Sequence, residues 1–304
     1  MPAPQIIIPR IPKAPEFCEA WDAVSGARVL KINYRADPVK RTPEWIAANK
    51  SGPLAQWMRE MEMDESVHAG EPVFRNFVYE RHAPAKYRTE PLPWVTGATY
   101  YGGWDLGGGT LQLAFVLVQV TPKGWVHWVR EVVPLGTMHM SNFAPIVRQR
   151  LQEWIPGSWQ NVIHIGDPSG SKRQPGGSDF EVAQSYGFRI RPCSAQNPAI
   201  RQDAVSWLLE DWIEQEGEDE ESWKPRAWYS QAGCPVLVEG MTGAYCMKIR
   251  VDSPSSGPGL TWGQPVKNFF SHVNDAHQYA AVEIRKDLLG QGFRGSRRPR
   301  RIVG

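Results

Sequence analysis

Apolar and polar positions follow two patterns along this chain. From Thr96 onward, runs rich in Val, Tyr and Trp fall at about 97–105, 111–120 and 125–133, with Thr121-Pro122-Lys123-Gly124 between the last two. Such runs, bounded by turn residues, predict strands joined as an antiparallel meander. Further along, helical spacing alternates with short apolar runs. A helix is predicted over 141–154 with Ser141 as its N-cap, then a strand at 161–166, a helix near 179–186 and a strand at 188–192. A helix over 199–213, a strand near 227–230 and a helix over 235–247 follow, and a last helical pattern runs from Asp275 to Ile284. Strands in a meander followed by alternating strands and helices predict an α/β domain, a mixed β-sheet flanked by helices.

The flanks differ. Residues 1–95 are rich in proline and predict an irregular N-terminal connecting segment, with a short strand at 28–34 and helices at 43–48 and 54–63. Residues 96–290 hold the sheet domain, and 291–304 form a basic tail carrying Arg294, Arg297, Arg298, Arg300 and Arg301 among glycine, serine and proline. That tail composition cannot bury a core and is expected to be disordered.

Composition narrows the classes. With 304 residues, 41% of them hydrophobic, and 14 tryptophans, the chain can bury a sizeable core. No stretch approaches the ~20 apolar residues of a membrane span, and Ile6-Ile7-Ile8 is too short for a signal segment. Cys18, Cys193, Cys234 and Cys246 lack paired short spacing, so reduced thiols in a cytoplasmic protein are expected. A net charge of +2 says little of partners, but the charges are segregated, with an acidic run from Glu214 to Glu221 opposed by the arginine tail.

The candidate chemistry lies in three aspartates. Asp105 ends the first predicted strand of the sheet, Asp167 follows the strand 161–166, and Asp275 opens the last helix. Two acids at strand ends and one on a helix can meet at one sheet edge, where their oxygens suit Mg²⁺ or Mn²⁺ rather than zinc. Each aspartate has a plainer explanation too: Asp105 and Asp167 sit in good turn sequences, and an early-helix acid such as Asp275 is favoured by the helix dipole.

The ordered set resembles the nuclease domain of the large terminase subunit of tailed bacteriophages. His272, Asp275, Ala276 and Tyr279 match that family's His-x-x-Asp-Ala-x-x-Tyr helix motif, and Ala36-Asp37-Pro38, Trp45, Arg59-Glu60 and Gly70 resemble its connection from motor to nuclease. The resemblance implies a ribonuclease H-like fold and metal-dependent cleavage of double-stranded DNA by two ions, Mg²⁺ or Mn²⁺. Asp105 would bridge both ions, and Asp167 and Asp275 would hold one each. His272 would orient Asp275, move a proton or bind the scissile phosphate. Implied partners are a packaging ATPase, a small terminase subunit and a portal, in the cytoplasm of an infected bacterial host. The motor's phosphate-loop sequence Gly-x-x-x-x-Gly-Lys-Ser/Thr is missing from this chain, which is therefore not expected to translocate DNA by itself.

Because the acids repel phosphate, DNA affinity must come from cations elsewhere. Lys172 and Arg173 after the Asp167 loop, Lys267 before the last helix, Arg189 with Arg191, and the arginine tail are the candidates. Two other classes remain open. Asp105-Leu106-Gly107-Gly108-Gly109-Thr110 also resembles a phosphate loop of the actin and chaperone ATPases, and a non-catalytic packaging or docking module would need none of this chemistry.

Overall fold

The computed structural model describes residues 17–21, 28–49, 71–106, 112–134, 136–172, 177–214, 223–251 and 260–291. The chain divides into two compact units, the smaller made of 1–73 with 242–266 and the larger of 74–241 with 267–304.

In the smaller unit β1 (Phe17–Trp21) and β2 (Arg28–Ile32) pair antiparallel, Phe17 opposite Ile32 and Trp21 opposite Arg28. A 3₁₀ turn follows, capped by Asn33, whose side chain accepts from Arg35 N–H at 3.0 Å. Helix α1 (Pro43–Asn49) comes next, with Trp45 stacked on Tyr34 at 5.7 Å between ring centroids. The predicted helix at 54–63 lies outside the described residues. A second antiparallel hairpin, Met247–Val251 with Leu260–Pro265, also belongs to this unit.

The larger unit opens with two short helices, α2 (Tyr79–His82) and α3 (Lys86–Thr89). The meander follows as expected: β3 (Thr99–Asp105), β4 (Ala114–Val120) and β5 (Val126–Val132), antiparallel in sequence. Helix α4 (Met140–Trp154) leads to β6 (Ile163–Gly166), α5 (Asp179–Ser185), β7 (Ile190–Pro192) and α6 (Pro198–Glu210). A hairpin of β8 (Trp212–Glu214) and β9 (Trp223–Pro225) precedes β10 (Ala227–Tyr229), α7 (Pro235–Glu239) and the long α8 (Phe269–Gly290). Six strands form one mixed sheet in the order β10-β5-β4-β3-β6-β7, with β6 parallel to β3, β7 parallel to β6, and β10 parallel to β5. The architecture is the expected α/β one, a mixed six-stranded sheet with flanking helices.

Four predicted elements need correction. The last helix, expected to open at Asp275, starts at Phe269 with Asn268 as its N-cap, so Asp275 stands in its second turn and not at its dipole-favoured start. The helix α4 begins one residue before Ser141, and its N-cap is His139. The pattern read as helix over 199–213 stops at Glu210, because Asp211 is claimed by Arg226: their side chains form a buried ion pair, and Arg226 N–H donates to Asp211 O at 2.8 Å. That pairing continues the β8–β9 ladder, so tertiary contact overrides helical periodicity. The helix expected over 235–247 is regular only to Glu239. Gly240 lies against Asn274, and Gly243 at φ 132° breaks the helical backbone before the strand at Met247.

The two faces of β3 explain where everything sits. Successive strand residues point to opposite faces. Gly102 and Trp104 face one layer, where Trp104 packs on Phe115, Phe143 and Phe188 at 4.8, 5.9 and 5.0 Å. Tyr101, Gly103 and Asp105 face the other, and α8 covers them. Tyr101 donates its hydroxyl to Asp287 Oδ2 at 2.7 Å, and a Cβ on Gly103 would stand 2.1 Å from the Ala276 carbonyl oxygen. Glycine at 103 therefore sets how closely α8 approaches the sheet.

Candidate active site

The site is built where β3 and β6 end side by side. In the parallel register Trp104 lies opposite Gly166, so Asp105 and Asp167 follow at neighbouring strand ends. Asp167 N–H donates to Trp104 O at 3.2 Å, which joins the Asp167 loop to β3. Its carboxylate Oδ1 accepts from Ser169 N–H at 2.9 Å, and Gly170 packs so tightly that a Cβ there would lie 2.0 Å from Leu106 Cδ1. Asp167 is half-buried and holds its loop as an Asx turn as well as standing at the strand end.

Asp105 is 5% exposed, on the face that α8 covers. On that helix His272, Asp275, Ala276 and Tyr279 recur at three- and four-residue spacing and share one side. His272 Nδ1 lies 2.7 Å from Asp105 Oδ2, a hydrogen bond between ring and carboxyl. Asp275, buried as well, receives Lys267 Nζ on Oδ2 and Gln278 Nε2 on Oδ1 at 3.2 Å. Arg201 on α6 brings Nη2 to 4.0 Å from Asp275 Oδ1 and lays its guanidinium over the Tyr279 ring at 4.6 Å.

Electrostatics couples Asp105 to its neighbours on α8. Burial pushes the Asp105 carboxyl above its ordinary range, His272 opposes that by hydrogen bonding, and the charge of Asp275 adds to it. Burial also holds the Tyr279 hydroxyl above its usual value, against the pull of Arg201, and the charges of Asp105, Asp275 and Asp167 each raise it further. All three aspartates thus act on one phenol. Among the described residues no three His, Cys, Asp or Glu side chains close on a single point as a ready-made metal cage. Asp105 is bonded instead to His272, and Asp275 to Lys267 and Gln278.

The expected cations have different placements. Lys172 is exposed directly after the Asp167 turn, and Arg189 and Arg191 are exposed at the edge strand β7. Lys267, expected to face phosphate, is paired with Asp275. Arg173 and the arginines from Arg294 to Arg301 lie outside the described residues, as do Gly107 to Thr110 of the phosphate-loop-like segment. Sequence reasoning passed over Arg201. Its signal was its company: Arg201, Ala204, Val205 and Leu208 form one buried stripe of α6, and an arginine on an apolar stripe needs a partner.

No protein-family model and no curated protein matches the chain. Among solved structures it is similar to the large terminase nuclease domain of bacteriophage SPP1, determined with bound Mn, at 18% identity and TM-score 0.39 over 60% of this chain and 84% of that one. It is also similar to the large terminase nuclease of thermophilic phage G20c, at 12% identity and TM-score 0.41 over 70% of this chain and 97% of that one. Among the described residues no helix is long and apolar enough to cross a membrane.

Proposed function

We propose that the chain is a metal-dependent endodeoxyribonuclease, acting on double-stranded DNA as the nuclease part of a viral packaging machine. The observation that carries this reading is the burial of Asp105 at the carboxyl end of β3, beside Asp275 of α8 and one strand from Asp167. Buried acids gathered at the carboxyl edge of a partly parallel sheet are costly to the fold unless a cation joins them.

The donor set fits a hard divalent ion. Carboxylate oxygens are its preferred ligands, and the positions around Asp105 and Asp275 already attract an imidazole and an ammonium. Asp105, Asp167 and Asp275 would hold Mg²⁺ or Mn²⁺, two ions in all. Bound there, such ions supply an activated water and neutralise the charge that builds on phosphate during hydrolysis. The chain's own groups do the rest. His272, hydrogen-bonded to Asp105, fixes that carboxylate and can carry a proton at the free ring nitrogen. Arg201, stacked on Tyr279, keeps a positive charge 4.0 Å from Asp275 Oδ1. Lys172 extends from the Asp167 turn toward solvent, where the DNA backbone would pass, with Arg173 and the arginine tail as further phosphate contacts.

A packaging ATPase, a small terminase subunit and a portal are the proposed partners, in the cytoplasm of an infected bacterial cell. Cleavage is expected to depend little on sequence, because no helix-turn-helix or finger motif is present to read bases. Plasmid digestion in Mg²⁺, Mn²⁺ or EDTA tests the reading. Wild type should nick and linearise plasmid with either metal and not with EDTA, and Asp105→Ala and Asp167→Ala should be inactive while still folded, as read by circular dichroism. Full activity in either variant would remove that residue from the site.

A further inference from the structure

Asp275 has two cationic neighbours of opposite character. Arg201 is buried and stacked on Tyr279, so removing it from Asp275 would strip a charge of its surroundings. Lys267 pairs with the same carboxylate from the outside: its side chain is 67% exposed, against 4% for Asp275. It stands directly before Asn268, the N-cap of α8, at the first residue of the chain's return to the larger unit. A lysine ammonium is a compact charge on a flexible stem, and returning an exposed one to water costs little.

We infer that Lys267 is a removable counter-ion of Asp275, which keeps the acid neutralised in the metal-free protein and is displaced when a divalent cation binds. The inference rests on the proposed metal site and adds to it a residue that competes with the metal. The exchange follows from charge. A dication at carboxylate distance attracts Asp275 twice as strongly as a monovalent ammonium does, and two cations cannot share Oδ2 without repulsion. Arg201, held by burial, stays; Lys267, held by the ion pair on its exposed side, leaves. The exchange would also give Lys267 a second role. Against Asp275, Lys267 cannot touch DNA; released, it carries a free ammonium beside the cleavage site, where a phosphate would be attracted.

Calorimetric titration of the full chain with Mn²⁺, without DNA, tests this independently of cleavage. Lys267→Gln removes the competitor and should bind Mn²⁺ on the order of fivefold more tightly than wild type, the size expected for losing one exposed ion pair. Lys267→Arg keeps a competitor and should bind like wild type. Brief acetylation with mass-spectrometric readout gives a second measure: saturating Mn²⁺ should speed modification of Lys267 and leave Lys123 unchanged. Equal or weaker Mn²⁺ affinity in Lys267→Gln, or acetylation of Lys267 indifferent to Mn²⁺, would overturn the inference while the metal site stood. No Mn²⁺ binding by either wild type or Lys267→Gln would instead overturn the metal site itself, and the inference with it.

Discussion

At the scale of single residues, Gly103 sets the distance between β3, which ends in Asp105, and α8, which carries Asp275. The 2.1 Å between its would-be Cβ and the Ala276 carbonyl oxygen means that α8 can approach β3 only over a glycine. Asp105 lies two residues along the same face, and Asp275 is the immediate neighbour of Ala276. Gly103→Ala should therefore do two things together: destabilise the fold by about 1–3 kcal/mol through overpacking, and push Asp275 away from Asp105. Gly290→Ala, in open space near the end of α8, should be neutral or stabilising by up to about 1 kcal/mol. Urea unfolding of both variants measures the difference, and equal midpoints would mean that α8 is free to shift. The sequence displayed the three aspartates and His272, because acids at strand ends and an i, i+3 helix pair are local patterns. It could not display that Gly103 is the contact point, nor that Lys267 and Arg201 both reach Asp275, since those facts depend on which face of which helix meets the sheet.

At the scale of elements, the meander 97–133 and the strands at 161–166 and 188–192 were legible because their apolar runs are bounded by turn residues. The end of α6 and the β8–β9 hairpin that follows it were not. Nothing local distinguishes Asp211 from one more helical residue; its fate is set by Arg226, fifteen positions later. That pair is almost wholly buried, and Arg226 Nη1 also donates to Gly124 O at 2.7 Å while its guanidinium lies 5.6 Å from the Trp207 ring. One arginine thus ties α6, the β8–β9 hairpin and the β4–β5 turn together. Asp211→Ala leaves it charged and buried with its carboxylate gone, and should cost about 3–5 kcal/mol. Asp211→Ala combined with Arg226→Met removes both charges and should recover part of the loss, as read from thermal or urea midpoints. A double variant whose loss equals the sum of the two single losses would show that the arginine's bond to Gly124, not the ion pair, governs this corner.

At the scale of the larger unit, buried titratable groups set how stability varies with pH. His164 Nδ1 accepts the Trp104 indole N–H at 3.0 Å, and Gln119 Nε2 donates to His127 Nδ1 at 3.2 Å, so both rings are held as neutral acceptors. Burial lowers them from 6.5 to about 3 for His164 and about 4 for His127. Groups whose folded values are depressed contribute stability that is complete above 6.5 and lost as pH falls, because the unfolded chain takes up the protons. Glu131 acts in the opposite sense. Burial raises its carboxyl from 4.5 to about 8, against the pull of the N–H groups of Val236 and Leu237, which it accepts at 2.7 and 2.9 Å. A raised carboxyl contributes stability that is complete below 4.5 and lost as pH rises through 8. His277, lowered to about 3, and His82, also lowered by burial, act in the same sense as His164 and His127. Between 6.5 and 4.5 these histidines outweigh Glu131, so the balance falls with acid; above 6.5 they are neutral in both states and raised carboxyls, Glu131 with Asp105, make the balance fall with alkali. Each group changes stability by up to about 1.4 kcal/mol per pH unit. Unfolding free energy should therefore peak near pH 6.5. Glu131→Gln should lower it overall, by weakening the bonds to α7, yet flatten the alkaline arm and leave the acid arm in place. An alkaline arm that survives this substitution would assign it to another group, and the buried glutamate would then have to be charged throughout.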